Sequence, residues 1–255
     1  MKIASWNVNS LRVRLPQVVD WIGERQPDVL AVQETKLTDE NFPAAEIAAA
    51  GYEAVFSGQK TYNGVALLSR LPVEKIDTRF AELEAEERRT IAATVGGVRL
   101  VNLYVVNGQE VGSEKYSYKL RWLDAVTDYL REQIKEWRDV VVVGDFNIAP
   151  DDADVHDPEA WREKILCSTP EREALGKILK LGLHDVFRNF DQEEKSFSWW
   201  DYRAAAFRRN MGLRIDLVLA TDRMSEACVR CYIDKSPRKN ERPSDHAPVV
   251  AEFEI

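Results

Sequence analysis

The chain has 255 residues, 45% of them hydrophobic, and a formal net charge of −8 at pH 7. This length suits one large domain or two small ones, and the composition is that of a globular protein. No apolar run approaches the ~18–20 residues of a membrane span, and the start resembles no signal peptide. We therefore expect a cytosolic protein that is not inserted in a membrane.

The cysteines do not indicate a metal site. Cys228 and Cys231 form a C-x-x-C pair in a strand-like stretch, without a second pair. A structural zinc ion normally needs four such ligands. We interpret both residues, and Cys167, as partly buried structural side chains.

The first half of the chain alternates strand-like and helix-like segments. A helix before Pro27, one that stops at Gly51 and a Gly96-Gly97 hairpin turn punctuate this half. The predicted strands are 3–8, 28–33, 52–57, 64–69, 73–77, 90–95 and 98–105. The predicted helices are 11–25, one through 44–48 and 115–137.

The second half broadly repeats this order. A helix is predicted at 171–181, and strands are predicted at 139–144, 183–187, 213–220, 227–233 and 247–254. Hairpins mixed with longer crossovers indicate an α/β fold of two mixed sheets packed face to face, with helices outside. No linker divides the chain, so we expect one domain over residues 1–255.

Polar clusters follow several of the predicted strands. Carboxylates, amides and a histidine at the ends of buried strands can converge on one rim, where they suit a hard metal ion and a phosphate. The clusters are Asn7-Val8-Asn9, Gln33-Glu34-Thr35, Gly144-Asp145-Phe146-Asn147 and Ser244-Asp245-His246.

Glu34 follows an apolar strand and has two interpretations. It is either a surface carboxylate or a ligand of Mg²⁺. This ion prefers carboxylate oxygens, keeps several waters and is completed by substrate phosphate, so one or two protein carboxylates suffice.

Asp145 and Asn147 are the sharper signal, because a run of four valines precedes them. In extended geometry both side chains point to one side. An aspartate can orient or deprotonate water, and an asparagine amide can donate to an oxyanion. The alternative is an ordinary strand-end turn.

His246 follows Asp245, and Asp216 opens another strand-like run. A lone histidine is more often structural, and we interpret His156 and His184 in that way. A buried aspartate on one ring nitrogen of His246 would favour the imidazolium. The other nitrogen would then be free to bind a phosphate oxygen.

Asn7, Tyr104 and Asn107 complete the polar set. The Tyr104 hydroxyl ends an apolar run and can reach a phosphate, although an aromatic packed at a sheet end is the plainer interpretation. Residues 197–203 combine aromatic side chains with Arg203. Aromatic rings offer faces to bases and sugars, and arginines contact phosphates.

The charge distribution leaves two interpretations open. Basic residues concentrate at 195–214 and 235–242, whereas acids concentrate elsewhere, for example at 82–87. This pattern is either a positive face for nucleic acid on an acidic body or a set of solvated loops.

Five motifs together resemble the exonuclease/endonuclease/phosphatase superfamily, and within it the bacterial exonuclease III branch of apurinic/apyrimidinic (AP) endonucleases. They span residues 3 to 248 in family order. They are Ser5-Trp6-Asn7-Val8-Asn9, Leu30-Ala31-Val32-Gln33-Glu34-Thr35-Lys36, Gly144-Asp145-Phe146-Asn147, Phe197-Ser198-Trp199-Trp200-Asp201-Tyr202-Arg203 with Asn210-Met211-Gly212-Leu213-Arg214-Ile215-Asp216, and Ser244-Asp245-His246-Ala247-Pro248.

The resemblance implies a DNase I-like four-layer α/β sandwich and cleavage of phosphodiesters with Mg²⁺ or Mn²⁺, through one metal or two. Expected catalytic residues are Tyr104, Asp145, Asn147, Asp216, which braces His246, and His246, which contacts the scissile phosphate. Expected residues at the metal are Asn7, Glu34 as the main ligand, Asp145, Asn147 and Asp245. Expected DNA contacts are Asn107, Trp199, Arg203, Met211 and Leu213, with Trp199, Met211 and Leu213 in the region that lines the pocket for an extruded abasic sugar.

Two places depart from the family pattern. Val106 stands where a proline is usual, and residues 166–170 border the DNA cleft in relatives and vary there. The second segment bears on the balance between AP endonuclease and 3′→5′ exonuclease activity.

Three functions follow as hypotheses. The first is a monomeric DNA-repair phosphodiesterase that cuts double-stranded DNA 5′ to abasic sites and trims 3′ ends to 3′-hydroxyls. The second is a phosphatase or phosphodiesterase of the same superfamily for a non-nucleic-acid phosphoester. The third is a DNA-binding module without catalysis, which the filled catalytic positions disfavour.

Overall fold

The computed structural model describes residues 1–78 and 87–255. Most of the acidic stretch at 82–87 lies outside the described residues. The described α-helices are α1 Leu11–Arg25, α2 Ala44–Ala49, α3 Glu114–Glu136, α4 Pro158–Trp161, α5 Thr169–Leu179 and α6 Asp222–Ala227. The described strands are β1 Lys2–Asn7, β2 Val29–Gln33, β3 Glu53–Ser57, β4 Val65–Ser69, β5 Val73–Asp77, β6 Thr90–Val95, β7 Val98–Tyr104, β8 Val140–Asp145, β9 Leu183–Asp185, β10 Asp216–Thr221, β11 Cys228–Ile233 and β12 Val249–Phe253.

Within these ranges the strands form two mixed sheets. The first has the order β11-β12-β1-β2-β4-β3, and the second has the order β5-β6-β7-β8-β10-β9. Each contains one parallel pair, β1 with β2 and β7 with β8, among antiparallel neighbours. The predicted pair of mixed sheets is confirmed.

Three apolar layers hold the sheets and helices together. Side chains such as Ile3 and Val141 fill the space between the sheets. Alternate residues on the same strands face outward, so that Ala4 packs beneath α1 and α2, and Val142 packs beneath α3 and α5. This alternation is the two-residue period of a strand covered on both faces. The predicted four-layer sandwich is thus confirmed.

Local sequence signals determine where several strands and helices begin or end. Gly96 and Gly97 have φ of +56° and +83° and join β6 to β7 as the predicted two-residue hairpin. Helix α5 begins at Thr169, two residues before its predicted start. The side chains of Ser168 and Glu171 form a capping box there.

The predicted strand at 213–220 was wrong at its start. Strand β10 begins at Asp216, because Leu213 forms isolated bridges with Val155 and Trp199 instead of joining the sheet. The short helices α4 and α6 were not predicted. Cys228 and Cys231 lie buried on β11 as free thiols, in agreement with their structural interpretation.

No helix within the described ranges is long and apolar enough to cross a membrane.

A polar tie crosses the apolar space between the sheets. Asn102 on β7 donates to the carbonyl oxygens of Val32 and Ala66 on the opposite sheet, at 3.0 and 2.9 Å. Gln33 donates in return to Asn102 Oδ1 at 2.7 Å. Both side chains are fully buried. Gln33 directly precedes Glu34 in the sequence. The tie therefore fixes one sheet against the other directly beneath the rim.

We expect Asn102→Leu to lower the free energy of unfolding by about 2–3 kcal/mol. The replacement keeps the branched shape and the number of side-chain heavy atoms but leaves buried hydrogen-bonding groups without partners. Urea unfolding measures the change. The control is Thr94→Val on β6, because the buried Thr94 hydroxyl has no hydrogen-bond partner among the described residues. Equal stability of both variants would show that the tie contributes nothing.

Candidate active site

Strand register brings the predicted polar residues to one rim. In the second sheet Tyr104 ends β7 beside Asp145, which ends β8, and Asp145 lies opposite Asp216, which begins β10. In the first sheet Asn7 ends β1, and Glu34 directly follows β2. The carboxyl ends of both parallel pairs therefore contribute to one site.

The Asn7 amide joins the two sheets at this rim. Its Nδ2 donates to Glu34 Oε1 and to Asp145 Oδ2, both at 2.9 Å. Asn7 is fully buried, and its backbone carbonyl accepts from the hydroxyl of Ser244 at 2.6 Å. One side chain thus sets the spacing of two carboxylates that are far apart in sequence.

Gly144 permits the close approach that places Asp145. Its φ is +146°, and a Cβ atom there would lie 1.9 Å from the carbonyl oxygen of Leu103. Burial raises the pKa of Asp145 to about 7, with repulsion from Asp216 adding to the shift and the charge of His246 opposing it. Such a carboxyl group can accept and release a proton near neutral pH.

Asn147 is held beside Asp145 in a left-handed conformation, with φ of +48°. Its backbone N–H donates to Asp145 Oδ1 at 2.9 Å, and its Nδ2 donates to the carbonyl of Val105 at 3.0 Å. Asn107 Nδ2 donates to Asn147 Oδ1 at 3.1 Å. The two amides form one unit at the edge of the site.

His246 lies between two buried carboxylates. Its Nδ1 is 2.9 Å from Asp216 Oδ2, and its Nε2 is 3.7 Å from Asp145 Oδ2. Ser198 donates to Asp216 Oδ2 at 2.6 Å. Burial alone would lower the pKa of His246, but the charges of Asp216 and Asp145 outweigh it and raise the pKa to about 10. The ring is therefore an imidazolium at neutral pH.

Asp245 faces the first sheet through Asn9. Asn9 Nδ2 donates to Asp245 Oδ1, and the indole of Trp199 donates to Asp245 Oδ2, both at 3.0 Å. Burial alone would raise the pKa of Asp245, but the charge of His246 and these two hydrogen bonds hold it below its usual value. Asp245 is consequently an ionised carboxylate.

Glu34 reaches solvent only in part, with 16% of its side chain exposed, and pairs with Lys36 at 2.8 Å. Burial alone would raise its pKa, but the charge of Lys36 and the hydrogen bond from Asn7 hold it below the usual value. Burial, together with the charges of Glu34 and Asp145, raises the pKa of Tyr104 well above its usual value. The Tyr104 hydroxyl thus stays protonated and can donate.

The donor set fits a hard divalent cation. Glu34, Asp145 and Asp245 supply carboxylate oxygens, and the Glu34 carboxylate already binds the cationic Lys36. Asp145, Asp216 and His246 also form a compact group of metal-binding side chains. His246 is protonated and bonded to Asp216, so that group is better described as a hydrogen-bonded relay than as a ligand set.

The endonuclease/exonuclease/phosphatase family matches residues 4–246. The chain belongs to this family. It is 35% identical to exodeoxyribonuclease III of Haemophilus influenzae, over 99% of this chain and all of the relative. The predicted membership is confirmed.

Two solved structures of the family share the whole fold. A 3′ phosphatase from Neisseria, solved with a product DNA hairpin, is 47% identical and has a TM-score of 0.98, with both chains fully covered. An AP endonuclease from Archaeoglobus fulgidus is 41% identical and has a TM-score of 0.96, again with full coverage of both chains.

The predicted DNA-contacting residues of this family member differ in exposure. Asn107 and Arg203 are exposed, and Trp199 and Met211 are half-buried. Leu213 is fully buried in a small apolar cluster that Trp199 covers. Leu213 therefore supports Trp199 from below, and a direct contact with DNA would require its exposure.

The sequence interpretation gave no role to three residues that organise the site. Asn9 holds Asp245, Ser198 holds Asp216, and Lys36 pairs with Glu34 while donating to Asn9 Oδ1 at 2.5 Å. All three stand within the quoted motifs, next to or near the residues that they hold. Their position within these motifs could have indicated a role at the site, although their residue types alone did not.

We expect the His246 ring to remain charged well above neutral pH in the EDTA-treated protein. Asp216→Asn should move its titration to lower pH, because burial then acts against a smaller opposing charge. An NMR titration of the ring nitrogens measures the shift. Asp222→Asn, which removes the carboxylate beside His184, is the control and should leave His246 unchanged. An identical His246 titration in wild type and Asp216→Asn would refute the relay.

Proposed function

We propose that the protein is a metal-dependent DNA-repair phosphodiesterase. It cleaves the backbone of double-stranded DNA 5′ to abasic sites and trims 3′ ends to 3′-hydroxyls. The observation that carries the proposal is the single rim on which Glu34, Asp145 and His246 meet, with Asn7 joining Glu34 to Asp145. Full-length relatives that are exodeoxyribonucleases and AP endonucleases support the same substrate class.

Asp145 orients the attacking water and takes its proton. It lies buried beside His246, and its raised pKa suits proton transfer near neutral pH. Asn147 places its side-chain amide 3.3 Å from Asp145 Oδ2 and helps to hold the water or the developing oxyanion. These two side chains are already fixed in position, so they need not reorganise when charge develops on the phosphate, as water molecules would.

His246 contacts the scissile phosphate. Asp216 holds its Nδ1, so Nε2 carries the proton that can bind a phosphate oxygen. Tyr104 donates its hydroxyl to the same phosphate from β7. An imidazolium and a protonated phenol thus face the charge that grows on the phosphoryl oxygens.

Glu34 would be the main ligand of Mg²⁺ or Mn²⁺, with Asn7, Asp145, Asn147 and Asp245 around it. When bound, the ion supplies positive charge that polarises the phosphate. Glu34 suits this role because it is ionised, partly exposed and fixed by Asn7. Asn147 suits it least, since both ends of its amide are engaged by Asn107 and Val105.

DNA would enter along a groove of about 620 Å³ beside Glu34 and Tyr104. Lys36, Arg89 and Lys115 line it and supply positive charge for phosphates. Glu34 and Glu87, which also line the groove and pair with Lys36 and Arg89, balance part of this charge. We further propose that residues 1–255 act as one domain and as a monomer, in the cytosol.

The alternative of a non-nucleic-acid phosphoester is not favoured. The full-length relatives include an exodeoxyribonuclease and a 3′ phosphatase solved with a product DNA hairpin, and the groove of about 620 Å³ is larger than a single phosphate requires. A silent DNA-binding module is also disfavoured, since every catalytic-type position carries a functional side chain.

We expect Asp145→Asn to keep the fold and to lose cleavage of an abasic duplex by a factor on the order of 10² or more, because the general base is removed. Turnover is measured on an abasic duplex and on a 3′-recessed duplex, each with and without EDTA. Asp124→Asn is the control, since Asp124 is exposed on α3 and pairs with Lys177. Wild-type turnover in Asp145→Asn would remove Asp145 from the mechanism.

We expect Glu34→Gln to weaken Mn²⁺ binding by about tenfold or more, because an amide oxygen replaces the anionic ligand. Electron paramagnetic resonance of free Mn²⁺ measures the affinity independently of cleavage. Glu53→Gln, at an exposed carboxylate on β3, is the control. An unchanged Mn²⁺ affinity in Glu34→Gln would place the metal elsewhere.

A further inference from the structure

A fully buried ion pair lies beneath the active site, between the helices that cover the second sheet. Lys119 on α3 pairs with Glu171 on α5, and neither side chain has any exposed surface. A lysine is seldom fully buried unless it is paired. The proposed mechanism does not use this pair.

The Lys119 ammonium uses all three of its protons. One goes to Glu171, one goes to the carbonyl oxygen of Asn147 at 2.7 Å, and one goes to the carbonyl oxygen of Asn107 at 3.1 Å. These two residues are the ones whose side-chain amides bind each other at the edge of the active site. A single charge therefore holds the backbone of both.

Glu171 holds a third segment. Its carboxylate accepts from the backbone N–H groups of Leu166 and Ser168, both at 3.1 Å, and from the Ser168 hydroxyl at 2.6 Å. The pair thus connects the loop after β7, the loop after β8 and the segment before α5. The loop after β8 carries Asn147 of the proposed catalytic machinery, and the loop after β7 carries Asn107, which donates to the Asn147 side chain.

Stability alone is a weak reason for such an arrangement. Apolar side chains of similar volume fill a buried site about as well as an ion pair does. An ammonium adds fixed direction, because each proton must point at an acceptor. The backbone of Asn147 is left-handed, a conformation that residues other than glycine seldom adopt. A directed hydrogen bond from Lys119 to the Asn147 carbonyl helps to hold it there.

We propose that Lys119, oriented by Glu171, is a positioning residue for hydrolysis. It fixes the peptide of Asn147 from below, so that the Asn147 amide stays directed beside Asp145. It touches neither DNA nor metal. The proposal rests on the proposed function, because it assigns Asn147 to the chemical step.

The test is a double-mutant cycle between Lys119→Met and Asn147→Ala, measured on an abasic duplex at saturating Mg²⁺. Methionine keeps most of the length of lysine but lacks its charge and its protons. We expect Lys119→Met to lower kcat roughly 10- to 100-fold with little change in KM, as misplacement of a catalytic group does. In the Asn147→Ala background the same change should have almost no further effect on kcat.

Leu130→Ala is the matched control. Leu130 is buried on α3 but packs only in the apolar layer, so its loss should lower Tm while kcat of the folded protein stays unchanged. Lys119→Arg, which keeps the charge, should recover part of the lost kcat. If Lys119→Met does not fold, Glu171→Gln takes its place in the same cycle.

The outcomes separate this proposal from the proposed function. A wild type that cleaves neither an abasic nor a 3′-recessed duplex would overturn the proposed function. A wild type that cleaves, with kcat of Lys119→Met within about twofold of it, would overturn the positioning role alone. An equal loss of kcat in both backgrounds of the cycle would also overturn that role.

Discussion

The active site depends on the face-to-face packing of two sheets whose strand ends meet at one rim. Neither sheet alone holds the full set, because Asn7 and Glu34 belong to the first and Tyr104, Asp145 and Asp216 to the second. The Asn7 amide joins them, and the buried Asn102 tie beneath it keeps the sheets in register. Any slip of one sheet would separate the carboxylates by several ångströms.

Burial then gives these side chains different protonation states. Asp145 and Asp216 lie close together in a region without solvent, where two negative charges are unfavourable. His246 lies between them as an imidazolium and offsets part of that repulsion. Burial, with the repulsion from Asp216 adding to it, still raises the pKa of Asp145. Asp216 has the nearer histidine nitrogen and the Ser198 hydroxyl, so it stays the structural partner. The same three residues therefore yield a proton acceptor and a proton donor.

The sequence predicted much of the fold because its signals were local. The valine run at 140–143 and the glycine pair at 96–97 specify their strands and turn without reference to distant residues. The start of β10 was missed because Leu213 and its neighbours have strand-like side chains, and the bridges of Leu213 with Val155 and Trp199 keep them out of the sheet.

The sequence predicted which polar residues lie at the rim, but it did not predict the contacts among them. Glu34, Asp145 and His246 stood out as polar residues at the ends of apolar runs. Lys119 carried no such signal, since a lysine at a helical position normally indicates a solvated face. Its burial becomes visible only when α3 and α5 pack together over the loops after β7 and β8. The periodicity of hydrophobic residues reports on a single helix or strand, so it cannot reveal contacts between segments that are distant in sequence.

The charge balance of the rim explains why a cation belongs to the reaction. Glu34, Asp145, Asp216 and Asp245 place up to four negative charges where a phosphate must bind, and Lys36 and His246 return only two. A phosphodiester entering this site would meet net repulsion at short range, where screening by salt is weak. A divalent cation bound at Glu34, as we propose, would bring the local balance to neutrality or close to it, so that the basic side chains of the groove could hold the strand. We therefore expect these carboxylates, which disfavour DNA binding on their own, to make that binding depend on the proposed metal ion.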